Sequence, residues 1–450
     1  MVYQKRLPWL FGAALAAAVL ALQHDDATEP AGSAAMPASS VGPSAPSQPA
    51  ALTVALPPLS PTERTWVTDP DARPGPLRIG FGRHVPSSGL NEALRDSAQW
   101  QRTADGGRAV AVRVSSPGAR AVRLGLSVQG LPKGATLAFF TGPGVPVAAF
   151  AAKEVESGMG LYWSPLIEGD TALLKIALPA GADPASVRIT LPQLSHLFRW
   201  PFGAPDPATA SATTCQVDAA CHPVWGQISW ATALLVHTNA MGSTVTCTGT
   251  LLNDADPTTR VPYVLTAHHC VPDPQRAASV ETFWFHRSAQ CGGPPDQLQS
   301  VAGGADLLFA AETMDTSLLR LRRPPPAGAV FAGWSATLPE LGTALVSVHH
   351  PRGVLQAISF GTLEELLHCE AVAYCGEDAQ PDEVHYLRLR WDEGVVDSGS
   401  RGSGVFLSTG QLVGVMTGGF GDCEQQQGPD DYGRFDLAYR AGLHRWLGAR

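Results

Sequence analysis

The chain has 450 residues, which at roughly 150 residues per domain predicts two or three folded units. Its 31 basic and 40 acidic residues give a net charge of −9, which argues against a general nucleic-acid-binding protein, because phosphate contacts require clustered Lys and Arg. The 46 Gly and 38 Pro residues favour turn-rich β structure over long helices. The eight Cys residues permit up to four disulfide bonds in an oxidising compartment.

The N-terminus has the order of an export signal. Lys5 and Arg6 precede an apolar stretch at 7–22 that is shorter than a membrane span. Small residues at Val19 and Ala21 suit cleavage after Ala21, so residues 1–21 are predicted to be a signal peptide, with an uncleaved anchor as the alternative. No other segment is apolar enough to span a bilayer. We therefore expect a secreted or periplasmic protein without membrane contact after signal cleavage.

The composition then divides the rest of the chain. Residues 22–52 are mostly Ala, Pro, Ser and Gly and are predicted to be a flexible linker. In residues 53–200, short apolar runs alternate with Gly- and Pro-containing turns, which predicts a small β-sandwich. Residues 201–212 are predicted to be an exposed connection, where proteolytic processing concentrates. All Cys residues lie in the remaining unit, 213–450.

The first of three candidate motifs in this unit is a predicted strand that ends in His268, His269 and Cys270. A disulfide from Cys270 to Cys247 would hold the histidines rigidly, and closing that short loop would contribute on the order of 3 kcal/mol. The alternative is a metal-binding His-His-Cys cluster, because imidazole and thiolate both bind zinc. The spacing alone leaves both interpretations open.

The other two motifs are an acid and a turn. Asp315 stands at the head of the apolar strand 316–321, where an acid is more often simply solvated. Residues 399–404 read Gly-Ser-Arg-Gly-Ser-Gly and precede two apolar strands. A glycine-rich turn of this kind can direct two backbone N–H groups toward one point, as an oxyanion hole requires. An ordinary hairpin loop is the alternative.

Taken together, the motifs occur in the chain order histidine, aspartate, glycine-rich turn that chymotrypsin-fold serine proteases use. With Val-His-His-Pro at 348–351 and Asp-Tyr-Gly-Arg at 431–434, they resemble bacterial lysyl endopeptidases over roughly residues 210–450. The resemblance implies an all-β fold, in which a C-terminal chymotrypsin-like double β-barrel follows a β-sandwich-like N-terminal pro-domain. A retained binding module is the alternative for that N-terminal domain.

The resemblance also implies roles for single residues and implies no metal or cofactor. His269 would be the general base, Asp315 would orient it, and the N–H groups of Gly399 and Arg401 would form the oxyanion hole. Val395 stands where trypsin-type enzymes carry their acid, so that acid is absent. The resemblance instead places the lysine-recognising acid just before the Tyr-Gly-Arg turn, at Asp430 beside Asp431; a simple polar turn is the alternative. The implied disulfides are Cys215–Cys423, Cys221–Cys291 and Cys247–Cys270, with Cys369–Cys375 as an additional pair.

The chain departs from the family pattern at the nucleophile. Arg401 stands where the family has its serine, and a guanidinium stays protonated without a lone pair to attack an acyl carbon. Ser403 is the substitute candidate, although its use would shift the turn by two residues, and reacting geometry tolerates only about 1 Å. We hypothesise that Arg401 pairs with a carboxylate and fills the site; a tolerated loss of activity is the alternative.

Two functions remain after this departure. One is a secreted serine endopeptidase of lysyl-endopeptidase type, which cleaves after Lys by a His-Asp-Ser mechanism, with Arg401 arguing against activity. The other is an inactive pseudoprotease that binds proteins or peptides. In both cases the expected partners are protein or peptide ligands with Lys, and we expect a monomer that binds no nucleic acid.

Overall fold

The computed structural model describes residues 51–68, 76–86, 89–142, 144–156, 160–202, 215–256, 258–371, 374–376, 384–421, 423 and 428–448. The predicted signal peptide, nearly all of the 22–52 linker and most of the 201–212 connection lie outside these ranges. The compact unit that contains the described residues is Pro49–Arg450. None of the described helices has the length and apolar character needed to cross a membrane.

The N-terminal part is built from strands with short helices between them. Its strands are β1 (Leu52–Ala55), β2 (Leu77–His84), β3 (Gln101–Arg102), β4 (Arg108–Ser115), β5 (Ala121–Gly130), β6 (Thr136–Phe140), β7 (Ala148–Ala151), β8 (Tyr162–Trp163), β9 (Ile167–Glu168), β10 (Thr171–Leu178) and β11 (Arg188–Leu197). Its helices are α1 (Pro61–Thr68), α2 (Leu90–Arg95) and α3 (Ala152–Val155).

These strands form two sheets that share one core. The first sheet has the order β1-β4-β10-β6-β7, and the second contains β2-β11-β5-β8. Along β10 the buried residues alternate with more exposed ones, so Leu174 and Ile176 point to the same face. They pack in one cluster with Leu124 and Leu194 of the second sheet. The N-terminal part is therefore the two-layer β structure that its alternating sequence predicts.

The C-terminal part contains the remaining strands. They are β12 (Val217–Asp218), β13 (Thr232–Thr238), β14 (Thr244–Leu252), β15 (Tyr263–Thr266), β16 (Glu281–Trp284), β17 (Gln299–Val301), β18 (Ala305–Ala311), β19 (Thr316–Leu321), β20 (Gly333–Trp334), β21 (Ala344–His349), β22 (Ala357–Ala371), β23 (Tyr374–Gly376), β24 (Tyr386–Glu393), β25 (Gly404–Leu407), β26 (Gln411–Gly419) and β27 (Asp430–Arg434). The helices are α4 (Gly226–Ala231), α5 (Pro274–Ala278), α6 (Phe435–Ala438) and α7 (His444–Leu447).

Two curved sheets organise this part. In the first, β13 to β19 form an open half-barrel with the order β17-β16-β13-β14-β15-β19-β18. In the second, β22-β21-β25-β26-β27-β24 closes into a barrel, because β24 also pairs with β22. The predicted fold class, an all-β chain with a C-terminal chymotrypsin-like domain, is confirmed, with one sheet closed into a barrel and the other an open half-barrel.

Three of the four implied disulfides are present in this part. They join Cys215 to Cys423, Cys221 to Cys291 and Cys247 to Cys270. Cys369 and Cys375 lie opposite each other where β22 pairs with β23. Their side chains are outside the described set, so the fourth disulfide stays a prediction.

The N-terminal and C-terminal parts are joined through one 12-stranded sheet. Strand β2 pairs antiparallel with β14, so that Gly80 lies opposite Thr244. The approach is close: a Cβ atom on Gly82 would collide with the backbone carbonyl oxygen of Met241. Only glycine permits this separation. The sheet therefore continues from the N-terminal sandwich into the first half-barrel.

A buried charge lies at the same junction. Arg123 of β5 donates to the Ser164 carbonyl at 2.9 Å, and across the junction to Thr238 Oγ1 and the Ser279 carbonyl, each at 2.8 Å. Glu281 of β16 accepts from the Leu166 backbone N–H at 2.8 Å. Both charged side chains are almost fully buried. Burial raises the pKa of Glu281 to about 7, although the nearby Arg123 opposes this shift.

The raised pKa makes junction stability depend on pH. A carboxyl group whose pKa is higher in the folded than in the unfolded protein stabilises the fold at pH values below its unfolded-state pKa. This contribution is lost as the pH rises through the folded-state pKa. We expect the free energy of unfolding to fall between about pH 5 and pH 7.5. Urea unfolding of the wild type and Glu281→Gln across this range measures the effect. The variant should show a smaller slope, and equal slopes would show that Glu281 is not responsible.

Candidate active site

Antiparallel pairing brings His269 and Asp315 together. Strand β15 pairs with β19 so that Thr266 lies opposite Ser317, which places the end of one strand beside the start of the other. His269 Nδ1 lies 2.7 Å from Asp315 Oδ2, and the His269 backbone N–H donates to Asp315 Oδ1 at 2.8 Å. The His268 N–H donates to the Asp315 carbonyl at 3.0 Å. The buried Asp315 therefore fixes both the ring and the backbone of His269.

Asp315 adopts a strained backbone conformation to make these contacts. Its φ of 42° lies in the left-handed region, which non-glycine residues seldom occupy. Strain of this kind persists only where surrounding contacts impose it, and it concentrates at functional sites. The carboxylate's two hydrogen bonds to His269 are such contacts.

The disulfide between Cys247 and Cys270 lies directly against the site. Cys270 Sγ is 3.8 Å from His269 Nε2 and 3.8 Å from the carbonyl oxygen of Arg401. One sulfur atom thus touches both the histidine and the glycine-rich turn. Because both sulfurs are bonded to each other, neither is a thiolate, and the zinc interpretation of the His-His-Cys motif is wrong for this state of the protein. His237, whose ring nitrogens lie near these sulfurs, is also buried there.

The glycine-rich turn is anchored on both barrels. The Thr248 N–H donates to the Arg401 carbonyl at 2.8 Å, which ties the turn to β14. The Gly402 N–H donates to the Met416 carbonyl, also at 2.8 Å, which ties it to β26. Gly399 and Gly402 have φ values of 95° and 86°, so the turn requires glycine at both positions. The backbone of Arg401 is thereby held beside His269.

Two backbone N–H groups of this turn remain unpaired. Within the described chain, neither Gly399 nor Arg401 donates its N–H to a protein acceptor. The two residues flank Ser400, whose own N–H donates to the Asp397 carbonyl at 2.9 Å. A pair of free N–H groups separated by one residue is the arrangement that an oxyanion hole uses.

The side chain of Arg401 crosses to strand β26. A Cβ atom on Gly418 would lie 3.3 Å from Arg401 Nη1, so the guanidinium occupies the space that a side chain there would fill. A Cβ atom on Gly419 would instead collide with Asp430. Because successive strand residues point to opposite faces, the guanidinium and the Asp430 carboxylate lie on opposite sides of the β26 backbone.

The guanidinium of Arg401 is only partly satisfied. Its Nε atom is buried without a hydrogen-bond partner, and no carboxylate of the described chain lies within 4.0 Å of its nitrogens. Burial lowers the pKa of Arg401, while Asp430, Asp315 and Asp397 oppose this shift from a distance. The hypothesised ion pair between Arg401 and a carboxylate is therefore not formed in the described structure.

Asp430 and Asp431 have different environments. Asp430 is buried, and its carboxylate accepts hydrogen bonds from Trp391 Nε1 at 2.7 Å and the Gly421 N–H at 3.3 Å. Burial raises the pKa of Asp430 to about 7. Asp431 instead accepts two hydrogen bonds from Arg388, at 2.9 and 3.0 Å. Asp430 thus lies against Gly419 and Gly421, whereas Asp431 is paired with Arg388.

Neither serine of the turn reaches His269. Ser403 is fully buried, and its Oγ lies 3.3 Å from Ser347 Oγ. Ser400 is also fully buried, and its Oγ lies 2.8 Å from His349 Nδ1. His349 Nε2 in turn lies 3.0 Å from Ser359 Oγ. These contacts point both hydroxyls into the second barrel.

Two contributions were missed by sequence reasoning. Hydrogen bonds from Ser400 to His349 and from His349 to Ser359 hold the turn against the second barrel. The only sequence signal for this contribution was the histidine pair at 349–350. Trp391, which donates to Asp430, had no local signal, because the two residues are 39 positions apart in sequence.

Comparison with known proteins agrees with this geometry. The profile of the lysyl endopeptidase C-terminal domain matches residues 209–433, and that of the lysyl endopeptidase N-terminal domain matches residues 54–198. The lysyl endopeptidase of Pseudomonas aeruginosa is 33% identical over 378 residues, which cover 78% of this chain and 77% of that protein.

Solved structures give weaker similarities. The Rv3671c protease from M. tuberculosis in its active form has a TM-score of 0.34 at 18% identity, over 55% of this chain and 90% of that one. The HtrA-type protease AlgW with a tripeptide has a TM-score of 0.33 at 15% identity, over 49% of this chain and 62% of that one. At such low scores these structures add nothing to the two domain matches and the relative from Pseudomonas. The chain belongs to the lysyl endopeptidase family of serine proteases.

Proposed function

We propose that this protein is an exported, catalytically silent member of the family that binds proteins or peptides through exposed lysine side chains. The observation that carries this proposal is the position of Arg401, whose backbone is held beside His269 by the hydrogen bond from Thr248. The proposed base His269 lies 2.7 Å from the proposed orienting acid Asp315, but Arg401 at the proposed nucleophile position offers no hydroxyl. Without a hydroxyl, His269 has nothing to deprotonate for acyl-enzyme formation.

The buried carboxylate of Asp430 supports lysine as the recognised residue. It packs directly against Gly419, where a Cβ atom would collide with it. An ammonium is a compact point charge that suits a single buried carboxylate. The disulfides and the predicted signal peptide support export, since disulfides persist in oxidising compartments.

The distribution of lysines fits a protein that does not process itself. The chain contains only Lys5, Lys133, Lys153 and Lys175, so neither the 201–212 connection nor any later position offers a lysine. A lysine-specific site would find no target at the junction between the two parts. We therefore propose that the N-terminal part remains attached to the C-terminal part.

Endopeptidase activity after Lys is the second candidate, and the intact pair of His269 and Asp315 favours it. Water activated by His269 beside the free N–H groups would give slow hydrolysis. Enzymes that lose a triad member retain roughly 10³ to 10⁴ over the uncatalysed rate. This activity would be far below that of a serine enzyme.

The test uses the mature full-length chain at pH 8. We expect no labelling by a fluorophosphonate probe and no burst of product from a lysyl p-nitroanilide. We also expect binding of an acetylated lysine amide, measured by NMR titration, that is lost in Asp430→Asn. Labelling at Ser403 would establish the enzyme instead. Lysine binding that is unchanged in Asp430→Asn would refute the proposed pocket.

A further inference from the structure

The buried histidine His237 has no role in the proposed function, and its ring lies beside the disulfide between Cys247 and Cys270. We propose that the protein, before this disulfide forms, binds one zinc ion in its dithiol form. The four ligands are Cys247, Cys270, His237 and His269. In the oxidised protein the two sulfurs are bonded to each other, so the site exists only while both cysteines are thiols.

His237 is a buried polar side chain without a hydrogen bond. The residue is 0% exposed on β13, and neither ring nitrogen has a hydrogen-bond partner in the part of the chain that the structure describes. Burial lowers the pKa of His237 well below its ordinary value, so the ring is neutral and keeps a lone pair at neutral pH. An unpaired buried nitrogen costs free energy, which a bound metal ion removes.

The two sulfur atoms lie close to this ring. A ring nitrogen of His237 and the sulfurs of Cys247 and Cys270 are all within 4.8 Å of one another. Zn–S distances of about 2.3 Å and Zn–N distances of about 2.0 Å place the ligand atoms of a tetrahedral site roughly 3.3–3.8 Å apart. The two cysteine Cα atoms are 6.4 Å apart, near the upper end of the ordinary range for a disulfide. Rotation of the cysteine side chains therefore separates the sulfurs without moving the backbone.

His269 supplies the fourth ligand from the exposed side. Its Nε2 is 3.8 Å from Cys270 Sγ, and its Nδ1 lies 2.7 Å from Asp315 Oδ2. A histidine that binds zinc commonly donates its other N–H to a carboxylate, which fixes the tautomer and leaves the ligating nitrogen unprotonated. Asp315 therefore orients Nε2 for a metal ion. The His269 side chain is 18% exposed, so an ion reaches the buried ligands past this ring.

The ligand set favours zinc over the hard cations. Two thiolates and two imidazoles form the tetrahedral set of structural zinc sites, whereas Ca²⁺ and Mg²⁺ bind through oxygen atoms. Arg276 Nη1 donates to the Cys270 carbonyl at 3.3 Å, and a nearby cation favours the thiolate form that binds metal. The two thiolates then neutralise the charge of the ion.

Binding and release of the ion conserve protons and electrons. Two thiols and two neutral imidazoles take up one Zn²⁺ and release two protons, without electron transfer. A disulfide oxidant then takes two electrons from the thiolates. A sulfur–sulfur bond forms between Cys247 and Cys270, the bond of the oxidant breaks, and its two sulfurs take up two protons. The ion leaves because both sulfur ligands are lost.

The test is a metal titration of the mature full-length chain, prepared in a reducing cytosol and kept reduced with tris(2-carboxyethyl)phosphine. We expect one equivalent of Co²⁺ to give thiolate charge-transfer bands and the intense d–d bands of a four-coordinate ion. Zn²⁺ should displace the Co²⁺ with a Kd below about 10⁻⁷ M. The oxidised protein should show neither set of bands.

Variants of the reduced chain assign the bands to their ligands. Cys247→Ser/Cys270→Ser keeps all the other cysteines and should lose the bands, which excludes those cysteines as their source. Asp315→Asn removes only the partner of a ligand and should weaken Zn²⁺ binding about 10–100-fold. His237→Phe removes a ligand and should weaken it more. His286→Phe removes another buried histidine and should leave it unchanged.

A second preparation avoids full reduction. Cys247→Ser, purified with the remaining disulfides formed, keeps three of the four ligands and should still bind Co²⁺, and adding His237→Phe should abolish that binding. Near-UV circular dichroism shows whether each protein is folded. Absence of cobalt bands from a folded reduced wild type, or Zn²⁺ binding that is unchanged in His237→Phe, would overturn the site. If the reduced chain does not fold, absence of Co²⁺ binding by Cys247→Ser would overturn it.

Discussion

Replacing Arg401 with serine is expected to give the protein lysine-specific endopeptidase activity. The substituted residue would inherit a backbone already anchored by Thr248, beside a histidine oriented by Asp315. The N–H groups of Gly399 and Arg401, which we predict to form the oxyanion hole, donate to no acceptor in the described part of the chain. Loss of the nucleophile costs serine proteases several orders of magnitude in kcat, so we expect an increase of at least about 10³-fold over the wild type. Hydrolysis of a lysyl p-nitroanilide and fluorophosphonate labelling at residue 401 measure it.

Arg401→Ala is the matched control, because it removes the guanidinium without supplying a nucleophile. It should remain inactive, and adding His269→Ala to Arg401→Ser should abolish the gain. A serine variant that neither reacts with the probe nor cleaves the substrate would contradict the assignment of Arg401 to the nucleophile position.

The Arg401→Ser variant should also cleave its own N-terminal part. Lys133, Lys153 and Lys175 are exposed there, and Lys133 lies in the turn between β5 and β6, where an extended backbone is easiest to reach. We expect the first cut between Lys133 and Gly134. The C-terminal part should stay intact, since it contains no lysine. Mass spectrometry of the incubated variant identifies the fragments.

Local motifs, and the family resemblance that they carry, were enough to predict the fold class and the candidate base and acid. The strand that ends at His269 and the strand that follows Asp315 each carry a strong apolar pattern, and their pairing determines the contact. The three cross-linked disulfides also followed from the family resemblance. The strand motifs lie in short segments that a sequence displays directly, whereas the disulfide pairing came only from the resemblance, since Cys215 and Cys423 are 208 positions apart.

Features that depend on packing between distant segments were not predicted. The sequence at Arg401 indicated the missing nucleophile, but not that its guanidinium would lie over Gly418 rather than pair with Asp430. That direction depends on Gly418, 17 positions later, whose missing side chain leaves room for the guanidinium. The pairing of β2 with β14 was likewise invisible, because an edge strand does not specify its partner from sequence alone.

Substitution of Arg123 is expected to give the largest loss of stability. Arg123→Met keeps much of the side-chain volume but removes three hydrogen bonds, two of which cross the junction. It also leaves Glu281 buried without its nearby positive charge. Leaving a buried charge without its compensating partner costs about 3–5 kcal/mol. Urea unfolding at pH 8, where Glu281 is mostly ionised in the wild type, measures the difference.

The double variant Arg123→Met/Glu281→Gln separates charge from packing. If the unpaired carboxylate causes most of the loss, removing its charge should recover a substantial part of it, because a neutral amide is less costly to bury. The single variant should also be less destabilised at pH 5 than at pH 8, since Glu281 then takes up a proton. A double variant as unstable as Arg123→Met, with no pH dependence in either, would show that the hydrogen bonds to Thr238 and Ser279 hold the junction instead.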